Sequence, residues 1–314
     1  MKYVKQMTIQ PRMTVGQLVE EMNGCGVLGA GRLARAVDVL SEMFEDQEYT
    51  NFLSLAGPLV PGGLRKIISL LIERGYVDAV VTSGANIVHD IVEALGCRGI
   101  QGSYMADDVE LRAEGVGRAG DIYFEQQGFE ALEKRVYEVF DNLPEERKTR
   151  IAVYELLAEI GKRLDDEESF LKTAAVHNVP VFSPGITDSM LGMHIWTYNQ
   201  LKKLWVDPVL DLNRMADLVF TSKKSGAIIL GGGTPKHHVL GANILREGVD
   251  AAVQVILDRP EGGSLSGAPL EEAISWKKAQ TESKLVTVVG DATIIFPVMV
   301  AATLERLDGR ERDY

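Results

Sequence analysis

The stretch "GAIILGGGTPKHHVLGANILREGVDAAVQVIL", residues 226–257, decides the fold class. Apolar, β-rich runs predict strands at "GAIILGGG" and "DAAVQVIL", and "PKHHVLGANILREG" between them predicts a helix. A strand, a helix and a second strand in this order are typical of a parallel sheet covered by helices. The stretch therefore predicts an α/β fold with a mostly parallel sheet.

The same alternation extends in both directions along the chain. Strands are predicted at "NFLSLAG", "VDAVVTSG", "VPVFSPG" and "KLVTVVGDA", with helices between and after them. Residues 97–124 are dotted with glycines and predict loops with short elements. Because no repeat or linker divides the chain, we expect one large, doubly wound domain over residues 1–314, with helices on both faces of the sheet, a short N-terminal extension and a polar C-terminal tail.

Composition narrows the possible partners and the compartment. A net charge of −12 disfavours nucleic acid or an anionic membrane as the main partner. The two cysteines, Cys25 and Cys97, are far apart, which fits a reducing compartment and no disulfide framework. The start "MKYVKQMTIQ" lacks a signal-peptide pattern, and no uncharged apolar stretch reaches the roughly 20 residues of a membrane span. We therefore expect a cytoplasmic protein with no membrane or nucleic-acid partner.

Glycines follow the first predicted strand of the deciding stretch. In open α/β sheets, ligands bind beyond the carboxyl ends of the strands. Gly231, Gly232 and Gly233 would let backbone N–H groups approach a phosphate, and the helix that follows favours negative charge at its start. The spacing is neither the dinucleotide fingerprint nor a P-loop, so a tight turn remains the alternative.

Polar residues follow other predicted strands as well. They are Thr82, Ser83 and Gly84 in "VTSGANIVHD", Asp188 in "ITDSM" and Asp291 in "VVGDAT". Each could contact a phosphate or a ribose hydroxyl, or could merely cap a helix. Their repetition at corresponding strand ends favours a shared cofactor pocket.

The histidines do not predict a metal site. None of the five forms a His-x-x-x-His pair with a nearby carboxylate, so we expect no zinc. His237 and His238 are adjacent at the start of a predicted helix, where neighbouring side chains point in different directions. At most one of them can therefore face a pocket.

The segment "EEAISWKKAQ", residues 271–280, contains a possible nucleophile. A lysine amine becomes reactive when its surroundings disfavour the charged form, and it then forms imines with carbonyl compounds. Trp276 could supply an apolar wall and attract amines through its ring. The alternative is that Lys277 and Lys278 are ordinary surface charges near a helix end.

Five segments in order, "TSGANIVHD", "VPVFSPGITD", "AIILGGGTPKHH", "GSLSGAPLEEAISWKK" and "GDATIIFP", resemble the deoxyhypusine synthase family, most closely its archaeal members or their bacterial relatives. The resemblance runs from about Gly31 to Leu307. It implies a Rossmann-like homotetramer that binds NAD near subunit interfaces. Such enzymes oxidise spermidine, release diaminopropane and hold the aminobutyl group as an imine on a lysine. They then pass it to a lysine of a translation initiation factor precursor, where reduction by the same NADH gives deoxyhypusine.

The resemblance also implies roles for individual residues. The family's Ser-Trp-Gly-Lys signature is Ser275-Trp276-Lys277-Lys278 here, which assigns the imine to Lys278. His237 matches the amine-site histidine and possible proton acceptor, and Glu272 and Trp276 match polyamine contacts. The matching cofactor positions are Thr82, Ser83, Gly84, Asp188, Gly232, Asp291 and Ala292.

Several positions depart from the family pattern. Lys277 replaces the signature glycine, while Met193 and Leu265 replace acidic polyamine contacts. Because spermidine is a trication, these losses leave other functions open. They are transfer to a free diamine, as in homospermidine synthesis, use of agmatine as the donor, and a non-catalytic relative that binds NAD or polyamines.

Overall fold

The structure, a computed structural model, describes residues 2–307. Its strands are β1 (Tyr49–Leu55), β2 (Ala79–Thr82), β3 (Ile100–Gln101), β4 (Val116–Ala119), β5 (Ile122–Glu125), β6 (Val181–Phe182), β7 (Lys224–Leu230), β8 (Val249–Ile256) and β9 (Ala279–Val289). Its helices are α1 (Val15–Cys25), α2 (Leu28–Glu45), α3 (Arg65–Glu73), α4 (Gly84–Ala94), α5 (Asp108–Ala113), α6 (Gln126–Asp141), α7 (Glu145–Thr149), α8 (Val153–Gly161), α9 (Phe170–Val176), α10 (Met190–Leu201), α11 (Asp211–Thr221), α12 (Gly233–Ala242), α13 (Glu272–Ser275) and α14 (Ala292–Arg306).

The chain divides into two compact units, and the first contains most of the parallel sheet. This unit comprises the residues up to Ala56, Arg74–Val81 and the residues from Met215 onward. In the described part of the chain, the main sheet has six strands. Five of them belong to this unit, in the order β2-β1-β7-β8-β9, except that the last residue of β2 falls in the second unit. The pairings of β1 with β7, β7 with β8 and β8 with β9 are parallel. The α/β class predicted from residues 226–257 is confirmed.

The order of the strands reverses direction at the centre of the sheet. From β1 the chain moves outward to β2, whereas from β7 it moves outward on the other side to β8 and β9. This reversal is the switch point of a doubly wound, Rossmann-like sheet, where ligands bind beyond the strand ends. The ends of β1 and β7 lie close together here, because the Ala56 amide donates to the Leu230 carbonyl at 2.9 Å.

Helices flank the sheet and bury its central strands. Helix α12 packs against β1 and β7, and α2 packs against β8, β9 and α14. Phe52, Ile228 and Ala252, one from each central strand, are fully buried. Continuous apolar runs are what a parallel strand covered on both faces requires. The predicted doubly wound sheet with flanking helices is therefore confirmed.

The second unit comprises Gly57–Glu73 and Thr82–Arg214. A buried carboxylate, Asp90 of α4, joins three of its helices, accepting hydrogen bonds from Arg65 Nε at 2.5 Å, Ser169 Oγ at 2.6 Å and the Leu171 amide at 3.1 Å. Burial raises the pKa of Asp90, while the Arg65 cation and the hydrogen bonds oppose that shift.

The second unit also contains elements that the sequence analysis did not predict. Residues 97–124 contain the short elements that were expected there, but the pairing of these elements into a three-stranded antiparallel sheet in the order β3-β5-β4 was not predicted. Gly115 and Gly120 have positive φ angles at the turns before and after β4. The polar stretch at residues 144–150 contains the short helix α7. These elements are too short for a periodic pattern to reveal them.

Four further expectations concern the two ends of the chain, a membrane span and the number of domains. The predicted polar tail after Leu307 lies outside the described residues. Residues 2–10 contain no helix or strand and are exposed. No helix in the described part of the chain is both long and apolar enough to cross a membrane. That the two units form one domain stays a prediction.

Candidate active site

The triple-glycine turn connects β7 to α12 at the switch point of the sheet. Gly231 has a φ of +79°, and a Cβ there would lie 2.6 Å from the Ala56 carbonyl oxygen. A Cβ on Gly232 would lie 2.5 Å from Ser266 Cα. The Gly233 amide donates to Ser266 Oγ at 2.8 Å. Side chains are therefore excluded from this turn by the end of β1 and by residues 264–270, which we call the 264–270 loop.

Lys278 lies between the short helix α13 and strand β9. The predicted helix is shorter than expected, because Lys277 adopts a left-handed conformation with φ +56° and both lysines follow the last helical residue. The Lys278 amide donates to the Ala273 carbonyl at 2.8 Å, and its own carbonyl accepts from the Val249 amide at 3.1 Å. The backbone of Lys278 is thus fixed on both sides, by α13 and by β8.

The side chain of Lys278 meets His237 of α12. Its Nζ lies 3.5 Å from His237 Nδ1 and 5.7 Å from the centroid of the Trp276 ring. Desolvation lowers the pKa of His237, and the Lys278 cation lowers it further. His237 is therefore neutral at pH 7, and a neutral imidazole whose Nδ1 faces an amine can accept a proton.

A mostly apolar pocket lies beside the Lys278 amine. Its lining residues are Lys236, Leu240, Leu265, Ala268, Pro269, Leu270, Glu272, Ala273, Trp276 and Lys278. Glu272 is the carboxylate in this set and Lys278 is half-buried. Its walls offer apolar contacts to part of an amine's carbon chain, and Glu272 offers a carboxylate to an ammonium group.

Lys236 is a site residue that the sequence analysis missed. It is 2% exposed, and burial lowers its pKa to about 8, with Glu272 acting to raise it and the Lys278 cation to lower it. A signal was present in the sequence, because Lys236 lies three and four residues before the buried Val239 and Leu240. That spacing puts its side chain on the inner face of α12.

The predicted cofactor residues of the first unit are Gly232, Asp291 and Ala292. Asp291 caps α14, since its Oδ1 accepts from the Thr293 amide and from Thr293 Oγ1, each at 2.7 Å. The helix-cap interpretation of Asp291 is confirmed, and its contact with a ribose hydroxyl stays a prediction, since the residue is exposed. Ala292 is buried in the first turn of the same helix.

The other predicted cofactor residues, Thr82, Ser83, Gly84 and Asp188, belong to the second unit. Thr82 Oγ1 accepts from Asn86 Nδ2 at 3.1 Å. Gly84 has no room for a side chain, because a Cβ there would lie 2.4 Å from that of Ser189. Asp188 is exposed. Among residues 2–307, no group of histidine, cysteine, aspartate and glutamate side chains could hold a metal ion.

Known proteins match this chain over almost its entire length. A sequence profile described as deoxyhypusine synthase matches residues 17–303. A probable deoxyhypusine synthase of Methanothermobacter thermautotrophicus is 50% identical over 97% of this chain and 98% of its own length. The chain belongs to the deoxyhypusine synthase family. The family resemblance drawn from the five motifs, and with it the expectation of a transferase, is confirmed.

Two further relatives match this chain over nearly its full length, and one of them shows the same fold. A probable deoxyhypusine synthase of Methanopyrus kandleri is 45% identical over 94% of this chain and 95% of its own length. The crystal structure of an Entamoeba histolytica protein assigned to deoxyhypusine synthase covers 99% of both chains with a TM-score of 0.66. At 22% identity, that structure supports the fold alone.

The left-handed conformation of Lys277 leads to a prediction about stability. A non-glycine residue in this conformation costs about 1–2 kcal/mol, while glycine loses about 0.4–1 kcal/mol through a more flexible unfolded chain. We therefore expect Lys277→Gly to raise the free energy of unfolding by about 0.5–1 kcal/mol, measured by urea denaturation at equal protein concentration. Lys277→Ala is the control, because it removes the exposed side chain but keeps the strained backbone. An equal increase in the free energy of unfolding of both variants would mean that the Lys277 side chain, and not its backbone conformation, is the source of the strain.

Proposed function

We propose that this chain catalyses NAD-dependent transfer of the aminobutyl group of spermidine, through an imine on Lys278, to a lysine of a translation initiation factor precursor. The observation that carries the proposal is the placement of Lys278 Nζ 3.5 Å from His237 Nδ1, at the side of an apolar pocket that contains Glu272. Family membership supports the transferase class, and this geometry supplies a nucleophile, a proton acceptor and an amine pocket.

NAD is proposed as the cofactor, and the triple-glycine turn fits it. Gly232 is the N-cap of α12 and has no side chain, so the start of this helix is open to a phosphate group. The turn also lies at the switch point of the sheet, where ligands of such folds bind. In the first unit, Gly232, Asp291 and Ala292 would hold the cofactor. In the second unit, Thr82, Ser83, Gly84 and Asp188 keep the cofactor role that the family resemblance implies. Bound NAD supplies the acceptor for a hydride from the amine and returns that hydride at the end of the reaction.

Lys278 and His237 divide the remaining chemistry. Lys278 attacks, as a neutral amine, the C=N carbon of the oxidised spermidine, and diaminopropane leaves as the new C=N bond to Lys278 Nζ forms. His237 accepts a proton from the reacting amine at Nδ1 in the tautomer that carries its hydrogen on Nε2, and its lowered pKa favours the neutral imidazole that this step needs. The acceptor lysine then displaces Lys278 in a second exchange of the same kind, which frees Lys278 for another cycle.

Glu272 and Trp276 are proposed to bind the polyamine. Glu272 is exposed at the first turn of α13, where its carboxylate can pair with an ammonium group. The Trp276 ring is 68% exposed, so that it presents a face to a cationic amine. Leu265, at the position of a family carboxylate, lines the same pocket and offers no charge.

A homotetramer and a cytoplasmic location belong to the same proposal. Both are supported by membership of the deoxyhypusine synthase family. The acceptor of the aminobutyl group is proposed to be a protein lysine. A free diamine is the alternative, because Leu265 replaces an acidic polyamine contact of the family.

The proposal is tested with purified protein, NAD and spermidine. We expect diaminopropane to be released only when NAD is present, and borohydride to trap a four-carbon adduct on Lys278, located by peptide mapping. Radiolabel from spermidine should then pass to the initiation factor precursor in preference to putrescine. Preference for putrescine would indicate transfer to a free diamine. No adduct with spermidine, putrescine or agmatine would leave only a binding function.

A further inference from the structure

A buried ammonium group lies underneath the proposed amine pocket. Lys236 Nζ donates to four neutral oxygens: Gln254 Oε1 at 3.2 Å and the carbonyls of Leu265 at 3.0 Å, Ser266 at 3.4 Å and Ala268 at 2.7 Å. In the described part of the chain, no carboxylate forms an ion pair with it within 4.0 Å. Lys236 is therefore a charge held almost entirely by backbone carbonyls.

Three of these oxygens belong to the 264–270 loop. The side chains of Leu265 and Ala268, whose carbonyls Lys236 binds, line the pocket beside Lys278. The hydrogen bonds of the buried amine consequently fix the wall against which the carbon chain of an amine would lie. The 264–270 loop contains turns but no helix or strand, so it has little secondary structure of its own to fix it.

The same loop is also fastened to the triple-glycine turn. Gln254 Nε2 donates to the carbonyls of Gly231 and Ser266, each at 3.1 Å, while Gln254 Oε1 accepts from Lys236. Ser266 Oγ accepts from the Gly233 amide at 2.8 Å. One network therefore joins the wall of the amine pocket to the turn proposed to approach NAD.

The charge in this network is costly. An ammonium group removed from water loses several kcal/mol of hydration, and neutral carbonyls only partly replace it. The lowered pKa of Lys236 reflects this cost. A methionine would fill a similar volume without a charge, so the difference that the ammonium makes at this position is its N–H hydrogen bonds to the 264–270 loop and Gln254.

We propose that Lys236 is a positioning residue, whose ammonium group holds the 264–270 loop in the position that shapes the amine pocket beside Lys278. The inference rests on the proposed imine chemistry at Lys278. Lys236 acts through the loop: it does not itself become the nucleophile, because its amine is enclosed and its N–H groups are engaged.

Lys236→Met and Lys236→Arg test the inference. The measured quantity is the spermidine concentration that gives half-maximal borohydride trapping on Lys278, at saturating NAD. We expect Lys236→Met to raise it about 10- to 100-fold, because a displacement of about 1 Å in a positioning group has effects of this size. Lys236→Arg keeps the charge and N–H donors, so its increase should be clearly smaller.

A matched control separates positioning from loss of stability. Asn243 is buried and hydrogen-bonded in the same unit, seven residues after Lys236, and contacts Ser225 and Val239 rather than the loop. Asn243→Ala should lower the thermal midpoint but leave the half-maximal spermidine concentration unchanged. An equal increase in Asn243→Ala, or equal increases in the methionine and arginine variants, would overturn the inference.

The remaining outcomes also decide between the two proposals. If the wild-type protein forms no adduct, the proposed function fails. If the wild-type protein forms the adduct and folded Lys236→Met matches it at every spermidine concentration, the proposed function stands and the positioning role is wrong. Should Lys236→Met not fold, Lys236→Gln, which keeps two N–H donors, is measured against the same criteria.

Discussion

Lys278→Arg is expected to abolish the trapped adduct and to reduce diaminopropane release by at least about 10³-fold, the scale at which loss of an essential nucleophile acts. Arginine keeps the positive charge near His237 and Trp276 but does not lose its proton, so it cannot form the imine. NAD should bind as in the wild-type protein, because the Lys278 side chain contacts the His237 side chain of α12 and not the triple-glycine turn that is proposed to approach NAD. The measurements are borohydride trapping followed by peptide mapping, and titration of NAD binding.

Lys277→Arg is the matched control for this variant. It makes the same chemical change one residue earlier, at an exposed side chain, and should leave the adduct intact. Lys277 and Lys236 carry amines near the proposed nucleophile in the described part of the chain. An adduct that persists in Lys278→Arg and maps to either of them would move the nucleophile there. The enclosed position of Lys236, 2% exposed with four oxygen contacts, argues against that result.

The fold could be predicted from the sequence because its central strands carry a strong pattern. Apolar, β-rich runs such as residues 226–230 and 251–257 are shorter than a typical helix, and Gly231 and Asp258 mark where they end. The small antiparallel sheet was missed, since β3, β4 and β5 contain two to four residues each. Strands of this length are determined by their partners and by the turns between them.

The proposed site was only partly predictable. Lys278 and His237 were found through family motifs, and the structure brings their side chains together. Lys236 was missed because a lysine between Pro235 and a histidine pair looks like a surface charge. Its spacing to Val239 and Leu240 indicates an inward-facing side chain, but the partners of its amine are set by tertiary contacts that the sequence does not show. The end of α13 was also missed, because the left-handed conformation of Lys277 is imposed on a residue that does not favour it.

Gly232→Ala should produce the second large effect, through one added methyl group. The new Cβ would lie 2.5–2.7 Å from three atoms of Ser266, which is closer than packed atoms can approach. Overpacking of this kind costs about 1–3 kcal/mol, so we expect the Kd for NAD to rise about 10- to 100-fold. Because Ser266 belongs to the 264–270 loop, adduct formation on Lys278 should fall as well.

Gly241→Ala gives a control in the same helix, α12. A Cβ at Gly241 meets no atom within 4 Å, and alanine is favoured over glycine in a helix by about 0.5–1 kcal/mol. This variant should be as stable as the wild-type protein or more so, with unchanged NAD binding. Both variants add one methyl group, so a difference between them isolates the contact with Ser266. Normal NAD binding and normal trapping in folded Gly232→Ala would mean that the glycine turn is only a tight connection, and the cofactor would then have to bind elsewhere along the strand ends.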